Sequence, residues 1–209
     1  PWWEVENRSS VRWVDATDYY DITYKQPKAV HRLPPDLDRV GQIRTPAFVG
    51  GSGVGQGFGK RREDKISYQF NLDESVSDGA LIWRYRCSNY RSGCPFSVTL
   101  RNEKTGWESE FRSEPISDPF NDGGVAAVGK YPGHPVYEQP HKTYEWEDGL
   151  ACARFLVGAL GAGRYTLTLV PRGNVSFEQD GFVVAREGQL HTIRFKRGVG
   201  NPKPTVVKG

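Results

Sequence analysis

The pattern of apolar and polar positions is most regular from Asp64 to Leu100, DKISYQFNLDESVSDGALIWRYRCSNYRSGCPFSVTL. Ile66, Tyr68, Phe70 and Leu72 alternate with Ser67, Gln69 and Asn71, the period of two expected of a half-buried strand. Asp78-Gly79 follows an acidic stretch and predicts a turn. Leu81, Trp83, Tyr85 and Cys87 then share one face, with Ile82, Arg84 and Arg86 on the other. Phe96, Val98 and Leu100 repeat the alternation after a loop bounded by Cys87 and Cys94. Three alternating strands joined by turns predict one antiparallel sheet, whose apolar face requires a second sheet packed against it.

The same period returns late in the chain. Tyr165, Leu167 and Leu169 alternate in RYTLTLVP, a turn at Arg172-Gly173-Asn174 follows, and Asp180-Gly181-Phe182-Val183-Val184 and Leu190–Phe195 continue the pattern. Residues 15–62 predict little regular structure. Six glycines between Gly50 and Gly59 lack the lysine and following helix of a phosphate-binding loop, and instead predict close backbone approach. Residues 101–148 are interrupted by Asn121-Asp122-Gly123-Gly124. In all, about nine or ten strands predict an all-β fold, a two-sheet antiparallel β-sandwich with long loop insertions, over residues 1–197. Residues 198–209, VGNPKPTVVKG preceded by Gly198, predict a C-terminal arm or linker.

Composition narrows the partners. Aromatics make up 12% of the 209 residues, with 24 Gly and 14 Pro, which suits strands joined by long loops. The net charge of +3 comes from 28 basic and 25 acidic residues, too even a balance to predict nucleic acid. The run Lys60-Arg61-Arg62 is followed at once by Glu63 and Asp64 and reads as a solvated loop, with an acidic ligand as the alternative. No apolar run approaches the ~20 residues that span a bilayer, so no membrane is expected. The chain begins at Pro1 and contains no Met, which reads as a processed product or a piece of a longer protein. A disulfide between Cys87 and Cys94 across their hairpin would suit an extracellular compartment; the alternative is free thiols.

Two features carry candidate chemistry. Glu4 and Glu6 flank Val5, so a strand there places both carboxylates on one face. They either point into solvent or share a counter-ion such as Ca²⁺. Aromatic residues crowd the Pro/Gly-rich insertion, among them Tyr131, Tyr137, Tyr144 and Trp146. Rings held on loops offer the flat apolar faces against which sugars stack, or they pin the loop to the body of the fold.

Three motifs in order resemble the galactose-binding-like β-sandwich (jelly roll) of carbohydrate-binding modules, the families CBM6 and CBM35 in particular. The first is the opening pair Glu4-Val5-Glu6. The second runs from Gly57-Phe58-Gly59 through Ile66–Phe70 and Asp78-Gly79 to Leu81-Ile82-Trp83-Arg84-Tyr85. The third joins Gly163-Arg164-Tyr165-Thr166-Leu167-Thr168-Leu169 to Asp180-Gly181-Phe182-Val183-Val184. The resemblance covers roughly half the chain and implies a structural calcium on Glu4, Glu6 and Asp180. It implies non-catalytic binding of a polysaccharide or oligosaccharide within a larger, secreted multidomain protein. Trp107, Tyr131 and Tyr90 are then the stacking candidates, and Asn102, Arg112 and Asn174 the polar ones. The long segments 16–56 and 108–148 depart from the family.

Two other readings compete. A jelly-roll polysaccharide lyase would need a uronate neutraliser with a base and an acid. His191 and Arg194–Gly198 distantly resemble such a terminal strand, but Val199 and Gly200 stand where a tyrosine is expected. A protein-binding adhesive sandwich is the third reading.

Overall fold

Why the apolar positions alternate so strictly becomes plain from the strands they form. The computed structural model describes residues 12–25, 39–44, 48, 51–87, 95–115, 125–127 and 151–189. Its strands are β1 (Arg12–Asp15), β2 (Asp21–Thr23), β3 (Gln42–Arg44), β4 (Ser52–Val54), β5 (Lys65–Leu72) and β6 (Val76–Cys87). They continue as β7 (Phe96–Asn102), β8 (Glu108–Pro115), β9 (Val125–Ala127), β10 (Ala151–Leu160), β11 (Gly163–Pro171) and β12 (Phe177–Arg186). A single 3₁₀ turn, Glu187–Gln189, ends the described region. No helix among the described residues is long and apolar enough to cross a membrane.

The strands form two antiparallel six-stranded sheets. One has the order β10-β6-β12-β4-β3, with β1 also paired to β12; the other runs β2-β5-β11-β7-β8-β9. The fold class expected from the sequence, an all-β two-sheet sandwich, is therefore present, with twelve strands among the described residues. The expected single sheet of β5, β6 and β7 is not. β11 pairs with both β5 and β7, while β6 lies in the other sheet between β10 and β12. The chain folds over from one layer to the other at Asp73–Ser75, so alternation identified each strand but not its neighbour. The turn expected at Asp78-Gly79 is also absent: both residues lie inside β6, and Gly79 pairs with Gly158 and Arg186.

Between the sheets, aromatic rings interlock. Phe96 on β7 lies 5.1 Å from Tyr85 and 5.3 Å from Phe177 in the facing sheet, both edge-on. Tyr68 on β5 meets Phe182 edge-on at 5.3 Å and Trp83 at 6.0 Å. Within the β6–β12 pair, Trp83 stacks on Phe182 at 4.7 Å and Tyr85 on Phe177 at 5.0 Å. Stacked rings within a layer and edge-to-face rings across it satisfy the ring quadrupole twice over, at ~0.5–1.5 kcal/mol per pair beyond area burial. The sequence folds this way because Ile66, Tyr68, Phe70 and Leu72 of β5 and Phe96, Val98 and Leu100 of β7 face Leu81, Trp83 and Tyr85 of β6 and Phe177 and Phe182 of β12.

β12 carries a bulge at its centre. Gln179 pairs with Tyr85 and Gly181 with Arg84, leaving Asp180 as the extra residue. On its other side Asp180 O accepts from Ala16 N at 2.9 Å, so the bulge holds the end of β1. Gly181 adopts φ 150°, and a Cβ there would collide with Val14 O. The glycine-rich β4–β5 connection makes the close approaches expected of it. At Gly59 φ is 90°, and an added Cβ would lie 2.8 Å from Phe177 Cβ and 3.0 Å from Pro171 Cβ.

Candidate functional site

The strand register sorts the candidate residues by end of the sandwich. β11 pairs its Tyr165 with Asn102 at one end of β7 and its Pro171 with Phe96 at the other. Seven strand residues separate those ends by ~20 Å. Asn102 and Trp107 belong to the first end; Asn174, and Arg112 near the end of β8, belong to the second. They do not converge on one site. Tyr90, Tyr131, Glu4 and Glu6 lie outside the described residues, as do Cys94 and the segment Leu190–Phe195.

At the first end, residues 102–107 form a tight, self-bonded hairpin turn. Asn102 is 2% exposed, and its Oδ1 accepts from Lys104 N and Thr105 N, each at 3.0 Å. Its backbone N donates to Trp107 O at 2.8 Å, and Trp107 N donates to Thr105 Oγ1 at 3.2 Å. Asn102 thus spends its side-chain oxygen on the turn. Trp107 is half-buried and packs against the core, in a turn whose Glu103 and Lys104, like Glu108 after it, are exposed. A ring so seated is held in orientation while keeping surface for a ligand.

At the second end, Arg112 is exposed and its Nε donates to Glu110 Oε1 at 2.9 Å. Arg172 donates from Nε to Ser97 Oγ at 3.0 Å and reaches the same Glu110 oxygen at 3.6 Å. Asn174 is exposed with φ 51°, the left-handed conformation that asparagine tolerates in turns. The β4–β5 loop packs beside this turn, since Phe177 N donates to Phe58 O at 2.7 Å. Asp64 organises that loop: its Oδ2 accepts from Gly59 N at 2.8 Å and Arg61 N at 3.3 Å. Burial pushes the Asp64 carboxyl above its ordinary value of 3.8, against the two N–H bonds that lower it. Burial, with Asp64 adding to it, also pushes the Tyr24 phenol up to about 12. Tyr24 Oη donates to Gln56 O in the same loop.

The implied calcium site can be tested at Asp180. Its side chain is fully buried, and Oδ2 accepts from Arg84 Nη1, itself 1% exposed on its side chain. A guanidinium already supplies the positive charge that a buried carboxylate needs. Among the described residues no three His, Cys, Asp or Glu side chains converge as a metal-holding group. Asp180 is the one implied ligand among the described residues, and the expectation of Ca²⁺ rests as well on Glu4 and Glu6, which lie outside them. Sequence reading missed Arg84, which alternation assigned to an outer face; residues 79–85 of β6 are buried on both faces.

Fold and register define an antiparallel two-sheet β-sandwich. No protein-family model matches the chain, and no curated protein matches it. Among solved structures, a CBM35 from Cellvibrio japonicus Abf62 is 11% identical with a TM-score of 0.44, over 91% of this chain and 100% of that one. A GH26-CBM35 β-(1,4)-mannanase from Podospora anserina is 16% identical (TM-score 0.42), with 94% of this chain matched to 29% of the enzyme. An exo-β-1,3-galactanase from Phanerochaete chrysosporium is 14% identical (TM-score 0.43), with 84% matched to 29%.

Proposed function

We propose that this protein is a non-catalytic carbohydrate-binding domain, exported as part of a larger protein, with Trp107 as a stacking platform for a sugar ring. The observation that carries the reading is the seating of Trp107. One part of the indole is fixed on the core and the hairpin beneath it is closed by Asn102 and Thr105, so little conformational freedom remains to be lost on binding. The motifs that resemble carbohydrate-binding modules support the same class. A structural calcium on Glu4, Glu6 and Asp180 belongs to this proposal, with the Asp180 carboxylate shared with Arg84.

Screening on an immobilised array of neutral glycans tests the function. Trp107→Ala is expected to lower affinity for a bound neutral glycan by ~tenfold, as the loss of a stacked ring implies, with the native far-ultraviolet circular dichroism retained at the temperature of the assay. Release of new reducing ends, or of the ultraviolet-absorbing unsaturated uronate a lyase makes, would replace the reading with an enzyme. Unchanged binding by Trp107→Ala would remove Trp107 from the site.

A further inference from the structure

The β4–β5 loop presents three consecutive exposed cations, Lys60, Arg61 and Arg62. Their neutralisation is slight. Arg61 Nη1 reaches Glu63 Oε1 only at 4.0 Å, with both side chains about half exposed or more, at 47% and 64%. Lys60 and Arg62 make no ion pair among the described residues. A surface pair at that distance contributes little, so the three charges are available to a ligand.

The loop that bears them is braced. Phe58 is fully buried and its carbonyl accepts from Phe177 N. Lys60 N donates to Gly57 O at 3.3 Å and Asp64 N to Arg61 O at 3.2 Å, while Asp64 Oδ2 gathers Gly59 N and Arg61 N. Close approach of Gly59 to Pro171, Phe177 and Val175 O sets the loop directly against the β11–β12 turn. That turn adds Arg172, with 49% of its side chain exposed, and the exposed amide of Asn174. Four cations and an amide thus stand on two loops joined by backbone hydrogen bonding.

We propose that this end of the sandwich is a binding site for acidic polysaccharide, bearing uronate or sulfate groups, distinct from the Trp107 hairpin at the opposite end. The planar guanidinium groups match carboxylate and sulfate oxygens in pairs. Long exposed side chains on a fixed base reach successive anionic residues of a polymer. Single-stranded nucleic acid is the poorer fit: the two loops hold one ring, Phe58, and it is buried, leaving none for base stacking. The chain's net +3 also spreads no basic field over the whole surface.

The full chain is titrated at low ionic strength with polygalacturonate, a heavily sulfated glycosaminoglycan, a neutral glucan and duplex DNA. Lys60→Ala/Arg61→Ala/Arg62→Ala is expected to weaken binding to an acidic glycan by ~tenfold or more. Arg101→Ala/Lys104→Ala/Arg164→Ala, which removes the same charge from the other end, is expected to change it by less than ~twofold. Trp107→Ala leaves acidic-glycan binding intact, so failure of the neutral-glycan reading and failure of this one are separable. Retention by one acidic polymer and not the other supports the site and names its anion. Equal weakening by the two triple variants, duplex DNA binding as tightly as the glycans, or no binding to either acidic polymer overturns it.

Discussion

At Asp64 the carboxylate is fully buried, with two backbone N–H groups on Oδ2 and no hydrogen-bond partner for Oδ1 among the described residues. Desolvation therefore raises its pKa above 3.8. A raised native pKa means that the folded state holds the proton more tightly than the unfolded state. The stabilisation is complete below the unfolded value and is lost as pH rises through the native one. Asp64→Asn keeps an oxygen for Gly59 N and Arg61 N but cannot titrate. Urea midpoints measured from pH 7 down to 4 are expected to show the native protein gaining stability relative to the variant as pH falls. A constant difference would mean that Asp64 titrates normally. None of this was legible in the run KRRED, where an aspartate beside three cations reads as solvated. Its role depends on a turn that folds the backbone of Gly59 and Arg61 back over it. The turn Asn102–Gly106 that precedes Trp107 was legible, because Asn and Gly bracket a short polar run between two strands.

Alternation identified the longer strands because their packing has the same period of two: Tyr68, Trp83, Phe96, Leu167 and Phe182 all face inward. It could not place β6, since residues 79–85 are buried on both faces, and an arginine in the middle of an apolar strand reads as exposed. The β6–β12 pair is instead closed by that arginine. Arg84 meets Asp180 at the bulge, with both side chains excluded from water. Arg84→Met is expected to cost ~3–5 kcal/mol, because it strands a buried carboxylate. Arg84→Met/Asp180→Leu is expected to recover a large part of that loss, because no charge remains to be solvated. Denaturant midpoints of the wild type, the two single variants and the double variant give the coupling directly. Additive effects would show that the two groups do not depend on each other. The bulge itself left a faint trace in the sequence as Asp180-Gly181, an acidic residue and a glycine directly before the apolar run Phe182–Ala185.

Over the whole molecule, the Asp180 carboxylate is where the calcium proposal and the observed ion pair meet. A metal bound to the native state and not to the unfolded chain would raise the thermal transition with ligand concentration. Scans in excess Ca²⁺ and in EDTA are expected to differ if Glu4 and Glu6 join Asp180 around the ion; coincident transitions would leave Arg84 as the counter-charge that matters. Both sheets were legible as a requirement of burial, and their strand order was not, because pairing joins residues far apart in sequence. β1 finds its partner only at residues 181–184, and β5 and β7 are joined only through β11. During vectorial synthesis, then, the early strands emerge with open edges and wait for the last third of the chain to complete either layer. High contact order of this kind slows folding and exposes nascent edges to mispairing, and it leaves residues 12–15 without their strand partner until residues 181–184 have been made.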